Sequence, residues 1–290
     1  MWKYYIFLIV VVMMFSGNLV VGKYVNELPA TTVALIRNLI AFFVILPFGY
    51  QQIKQQWPSF KHNWVPLMGY AITGITTFNV LVYLSLNYTS STNAGIVEAT
   101  TPVFAMILGY IFLKERLTRK QVLGVFISLI GAVWVMVEGS LTVLVNLAVN
   151  RGDFIMLMAV ISWAFYTLLI QQHNHKFPLL GAMVVMLFFG NLLLIPFVFV
   201  GWSSGLPEGL FQPELIAGLL YLGIFPSVVA LMLWTRAVAA VGPSKASVFL
   251  NLLPVFTMIG AVLFLGEAIT AAQIVGGAIA VSGVILAMRQ

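Results

Sequence analysis

AGIVEATTPVFAMILGYIFLKERLTRKQVLGVFISLIGAVWVM, residues Ala94 to Met136, is a stretch that this chain contains twice. Residues Ala246 to Met288 read ASVFLNLLPVFTMIGAVLFLGEAITAAQIVGGAIAVSGVILAM and align with it at a constant offset of 152 with no gap. The register gives 15 identities in 43 positions. Pro102, Val103 and Phe104 fall on Pro254, Val255 and Phe256. Glu115, Thr118 and Gln121 fall on Glu267, Thr270 and Gln273, and Gly124 and Gly131 on Gly276 and Gly283. Apolar composition alone yields chance Val and Ile matches. It does not place Pro, Glu, Thr, Gln and two Gly in common register, so the chain is an internal duplication.

The medium around that duplication follows from composition. Of 290 residues 61% are hydrophobic and 8% charged, with a mean hydropathy of +1.05. Soluble domains carry about 25% charge. Apolar runs near 20 residues long, separated by short polar breaks, are transmembrane helices rather than barrel strands. The expected fold is therefore all-α and integral to the membrane, with ten spans. These are Tyr4–Val21, Thr31–Gly49, Trp64–Leu86, Ser91–Leu113, Lys120–Val137, Phe154–Gln171, Pro178–Trp202, Glu214–Thr235, Lys245–Leu265 and Ala271–Met288. Lys3 precedes an apolar run, as in a signal peptide. The run ends Val20, Val21, Gly22, Lys23 without a small-residue cleavage site, so it is kept as a span. Ser140–Asn150 is too short to cross and reads as a surface linker. The first repeat is then residues 1–139, the linker 140–151 and the second repeat 152–290.

Charge fixes the orientation of the halves. With the N-terminus cytoplasmic, the inner segments hold 11 Lys and Arg and the outer loops only Lys23 and Arg151. Both termini are thus expected inside. Each half has five spans, an odd number, so the second half must be inverted. Lys114–Lys120 (KERLTRK) is then cytoplasmic and its counterpart Gly266–Ala272 (GEAITAA) external, and the external copy has lost every basic residue. Two inverted repeats place a pseudo-two-fold axis in the membrane plane and a site near mid-depth, the architecture of alternating-access carriers. The net charge of +6 is spread over short loops, which points to topology and not to nucleic acid.

These features resemble the drug/metabolite transporter superfamily, and within it the EamA-type ten-helix members. The resemblance rests on Asn93–Thr118, its echo Ser244–Thr270, Arg37–Asn38 in the second span, and Asn150–Asp153 followed by SWAFYTLLI at Ser162–Ile170. Where the family commonly has a Trp-Gly pair in the first span, this chain has Phe15, Ser16 and Gly17. The resemblance implies a central cavity and export of amino acids or related metabolites across a bacterial inner membrane.

Polar side chains inside spans are costly and are candidates for function. By helix rise, Arg37 lies about 9 Å and Glu98 about 10 Å from the outer surface. Asn79 lies at a similar depth and Asn18 nearer the surface. Glu98 is the only acid in the interior of a span, Glu214 standing at the very start of the eighth. It is a candidate for binding a cationic group of the substrate or for coupling to protons, or it forms a structural ion pair with Arg37. Asn251 lies one position from Leu250, the counterpart of Glu98. Trp163 and Tyr166 share a helical face and, with Tyr83, are candidates to line a pocket. The expected substrate-binding set is Asn18, Arg37, Asn79, Tyr83, Glu98, Trp163, Tyr166 and Asn251. Pro102 and Pro254 remove a helical donor each, freeing the carbonyls of residues 98 and 250, and are candidate hinges. The glycines of spans five and ten read as a close-packing scaffold.

No cofactor or metal is expected. The chain has no Cys, and His173 and His175 do not share a helix face. It has no P-loop, so ATP does not drive it directly. The partners expected are a small-molecule substrate, the lipid bilayer and protons. An uncoupled facilitator or channel, a lipid-linked sugar flippase and an intramembrane enzyme are the other classes. The enzyme needs a nucleophile, base and acid at one depth, a set the sequence does not place.

Overall fold

The computed structural model describes residues 2–89, 91–146, 150–202, 210, 212–265 and 270–288. Among them the protein is helical almost throughout, with no strand. Eight helices are long and apolar enough to cross a bilayer. They are the second span Ala30–Gln55, third Trp64–Leu86, fourth Ala94–Leu113, fifth Arg119–Met136, sixth Arg151–Lys176, seventh Leu179–Phe199, eighth Pro213–Val241 and tenth Ala271–Met288. The first span is the apolar helix Trp2–Tyr24. The ninth is assembled from Pro243–Val248, a 3-10 turn at Phe249–Leu252, and Leu253–Leu265. Among its described residues the linker carries the short exposed helix Leu141–Val145, capped by Ser140. Of the expected outer loop Gly266–Ala272, residues 266–269 lie outside the described set.

The repeated Thr and Gln have a local role. Thr118 Oγ1 accepts the Gln121 N–H at 3.2 Å, and Gln121 Oε1 accepts the Thr118 N–H at 2.8 Å. Thr270 and Gln273 make the same reciprocal pair at 3.1 and 3.0 Å. These capping boxes satisfy the free N–H groups that open spans five and ten. Just before the first box, Lys114 ends the fourth span with φ of 54°. The Ser244 hydroxyl donates to Glu115, tying that loop to the start of the ninth span. Burial pushes the Glu115 carboxyl above its ordinary value, opposed by the Ser244 bond and by nearby Lys245.

The repeated glycines settle how the halves meet. A Cβ on Gly124 would lie 2.6 Å from the Gly283 carbonyl, and one on Gly131 would lie 2.7 Å from the Gly276 carbonyl. Gly124 and Gly276 are counterparts in the repeat, as are Gly131 and Gly283. Each glycine therefore faces the counterpart of the other. Ascending positions in the fifth span meet descending positions in the tenth, so the two helices are antiparallel and exchange under a two-fold axis. Small residues let the backbones approach this closely. Spans two and seven make a second tight seam, where a Cβ on Gly49 would lie 2.6 Å from the Leu180 carbonyl.

Four other spans are interrupted, in two symmetry-related pairs. The third and eighth contain π-helical turns at Ala71–Thr77 and Phe225–Ala230. The fourth breaks between Glu98 and Thr101, and the ninth tightens at Phe249–Leu252. Pro102 and Pro254 sit in the first turn of the resumed helices, where a missing N–H costs little. The carbonyl freed at Glu98 is capped locally. It accepts the Thr101 hydroxyl at 2.5 Å, while Val97 accepts that of Thr100 at 2.6 Å. In the eighth span Pro226 withdraws the donor from Leu222, and the Ser227 hydroxyl replaces it at 2.7 Å.

Candidate functional site

The interruptions converge on one small cavity. Its wall takes Gly74 and Ile75 from one π-turn, Pro226 and Ser227 from the other, Glu98 and Thr101 from the break in the fourth span, and Leu250 from the ninth. Arg37, Asn38, Asn18, Asn79, Phe15, Phe78 and Trp163 complete most of the rest. π-turns and broken helices expose backbone and redirect side chains, which is why they gather at sites in membrane carriers.

Arg37 is the centre of the polar half. It is buried, at 5% exposure. Its Nε and Nη2 both donate to Ser227 Oγ, at 3.0 and 2.8 Å. Its Nη1 donates to Asn18 Oδ1 at 2.9 Å and to Tyr83 Oη at 2.5 Å. The guanidinium also lies 5.8 Å from the Tyr83 ring centre. All three acceptors are neutral. Among the described residues no carboxylate is within ion-pair distance, so the expected direct Glu98–Arg37 pair is not formed. Depth brought the two to one cavity. The fork of Arg37 then found nearer hydroxyl and amide partners.

Three buried polar atoms on this cavity have no protein partner: Asn38 Nδ2, Glu98 Oε2 and the indole Trp163 Nε1. Buried polar groups are otherwise almost always bonded. The three residues line the same cavity, beside a fixed cation. The cavity volume is about 40 Å³. That is room for a few water-sized groups and not for a whole metabolite.

Of the remaining sequence candidates only Asn79 reaches the cavity wall among the described residues. Asn79 lines the cavity but spends its amide on the Ile75 carbonyl at 2.7 Å, inside the π-turn. Tyr83 stands behind Arg37, not on the wall. Tyr166 is 1% exposed and packs behind Trp163, their ring centres 5.1 Å apart. The Gly74 backbone abuts the Tyr166 ring, where a Cβ would come within 2.5 Å. Asn251 is fully buried away from the wall. With its amide oxygen toward Ser128 Oγ and its nitrogen toward the Ala99 carbonyl, both at 2.8 Å, it clasps the fourth-span break to the fifth span. Ser227, Asn38 and Thr101 were missed by sequence reasoning. For Ser227 a signal existed, since Pro226 in mid-span implies a freed carbonyl and the adjacent hydroxyl can cap it.

Below the polar half lies an aromatic layer. Trp163 is 4.6 Å from Phe78, 5.7 Å from Trp234 and 5.8 Å from Phe15, centre to centre. Tyr166 continues the layer to Tyr70 at 6.0 Å. On the far side of Tyr70 a second cavity of about 570 Å³ opens, at the bundle end that carries the N-terminus.

Comparison with known proteins agrees with this architecture. The model of the EamA-like transporter family matches residues 2–137 and again 150–289. The chain is 30% identical to the uncharacterized transporter YyaM of Bacillus subtilis, over 85% of this chain and 80% of that one. It is 29% identical to an uncharacterized transporter of Archaeoglobus fulgidus, over 98% and 96%. A probable terminal-alkyne amino-acid exporter of Streptantibioticus cattleyicolor is 25% identical over 75% of this chain and 71% of that one. One crystal structure superposes with a TM-score of 0.78 at 16% identity, covering 99% of this chain and 97% of the other, which shows the fold.

Proposed function

The chain belongs to the EamA-like transporter family, and from that premise we propose that it exports a small metabolite of the amino-acid class by alternating access. The observation that carries this reading is the convergence of four interrupted helices on a cavity holding Arg37 and Glu98 unpaired to each other. A zwitterion offers a carboxylate to the Arg37 side and an ammonium to Glu98. Asn38 and Trp163 supply donors that need a partner. The aromatic layer forms the apolar wall and separates the site from the N-terminal end. The likeness to an amino-acid exporter supports the substrate class. Glu98 is also the coupling group in this reading, because it is a titratable group in the cavity with one oxygen unbonded by protein.

The test is counterflow in proteoliposomes against a panel of radiolabelled amino acids. Wild-type protein should exchange at least one of them. Glu98→Gln should abolish exchange, or its dependence on pH, while the protein elutes and melts as wild type. Normal exchange by Glu98→Gln at every pH would remove the coupling role.

The same proposal places the protein in a bacterial inner membrane with both termini cytoplasmic, which the distribution of Lys and Arg supports. The chain lacks native cysteine, so single-Cys labelling needs no background removal. A Cys at position 118 should react with impermeant maleimide only after the cytoplasmic face is opened. Labelling from outside in intact cells would reverse the orientation.

A further inference from the structure

The larger cavity has a chemistry of its own. Its volume is about 570 Å³, within the range of sites for drug-sized ligands. Lys3 and Arg236 line it from the first and eighth spans, and its described lining contains no acid. Phe177, Leu179 and Ala182 form an apolar wall, and Asn174 and Thr235 add neutral polar groups. Lys3 is held over the Tyr4 ring at 5.0 Å. The positive-inside bias accounts for cations at this end of the bundle. It does not account for two of them lining one concavity that has an apolar wall. The floor is Tyr70, which packs on Tyr166 and through it on Trp163 at the central cavity. The Tyr70, Tyr166 and Trp163 rings therefore lie between a solute lodged here and the central cavity.

We propose that this vestibule captures organic anions, a carboxylate set against Lys3 and Arg236 with an apolar body against the Phe177 wall. It is the first station of the path whose second is the cavity at Arg37. The inference rests on the carrier reading for its place in a transport path, but the binding itself does not.

Equilibrium binding tests it without any transport step. The protein is placed in nanodiscs of phosphatidylcholine at about 0.15 M salt, where charges beyond about 8 Å are screened. Fluorine NMR saturation transfer then compares 4-fluorobenzoate with 4-fluorobenzamide, which differ in charge and little in shape. The benzoate should give the stronger signal. Lys3→Gln with Arg236→Gln should weaken its binding about fivefold or more, the scale of an exposed charge contact. Lys54→Gln with Lys61→Gln removes the same charge outside the vestibule and should leave it unchanged. Lys3→Glu with Arg236→Glu should turn preference toward 4-fluorobenzylamine, which keeps the test alive if the neutral pair folds poorly. Equal signals from benzoate and benzamide, or equal losses in both neutral pairs, would overturn the proposal. So would displacement of the benzoate when phosphatidylglycerol is added to the discs, which would assign the cations to lipid headgroups. Failure on any of these leaves the counterflow result standing, and failure of counterflow leaves the binding result standing.

Discussion

Replacing Gly131 by Leu is expected to leave no folded, monodisperse protein. A Cβ alone at this position would lie 2.7 Å from both the Gly276 carbonyl and Ala280 Cα. Those atoms are backbone of the tenth span, so no rotamer change relieves the clash and the two helices must part. Gly131→Ala should cost about 1–3 kcal/mol, the usual scale of overpacking, and the branched Leu more than the seam can absorb. Two glycines nearby serve as controls. A Cβ on Gly277 meets only ordinary contact with Val255 at 3.8 Å, and one on Gly260 meets nothing within 4 Å. Gly277→Ala and Gly260→Ala should hold or raise the melting temperature, since Gly is the poorer helix former. Fluorescence-detected size exclusion and thermal unfolding decide it. Gly131→Leu behaving like Gly277→Ala would mean the fifth and tenth spans do not meet as described.

Arg37→Met should have the opposite profile, losing transport while keeping the fold. Arg37 is a buried cation whose described partners are the neutral Ser227, Asn18 and Tyr83. A charge without a counter-ion at this depth is expensive. Its removal relieves that cost, and the melting temperature should not fall. On the proposed function the substrate carboxylate loses a charged hydrogen bond worth roughly 3 kcal/mol at most, so exchange should drop about 100-fold. Arg37→Lys keeps the charge and loses the planar fork, and should recover only part of the rate. The measurement is counterflow of whichever amino acid the wild type exchanges, with unfolding followed on the same preparations. Full activity in Arg37→Met would remove the cation from the site.

What could be read from the sequence was whatever repeats or obeys the bilayer. The offset register found the two halves, and its Thr, Gln and Gly matches proved to be caps and seam. Depth was legible too, because helix rise is uniform, and it brought Arg37, Asn79 and Glu98 to one cavity. Rotation about each helix axis was not. Asn251 is next to Leu250, which lines the cavity, yet in the 3-10 turn one residue turns it about 120°, toward Ser128 and Ala99. Tyr166 shares a helical face with Trp163 and still lies behind it. The π-turns shift every later residue in their spans by a fraction of a turn, and no period in the sequence marks them. Ser227 meets Arg37 across 190 residues of chain, a pairing that only packing determines.

The two π-turns occupy matching places in the halves but are built differently. Pro226 stands in one, and its counterpart in the other is Gly74. Were the halves chemically identical, a carrier that swaps their shapes would rest equally in its two orientations, because each would be the other turned over. Proline on one side only breaks that equality. The turn at Pro226 has no N–H with which to rebuild a regular helix, whereas the turn at Gly74 keeps its donor. A difference of about 1.4 kcal/mol already keeps ten molecules facing one way for each facing the other. If the protein works by alternating access as proposed, the side on which the empty carrier waits follows from this mismatch between two copies of one ancestral segment.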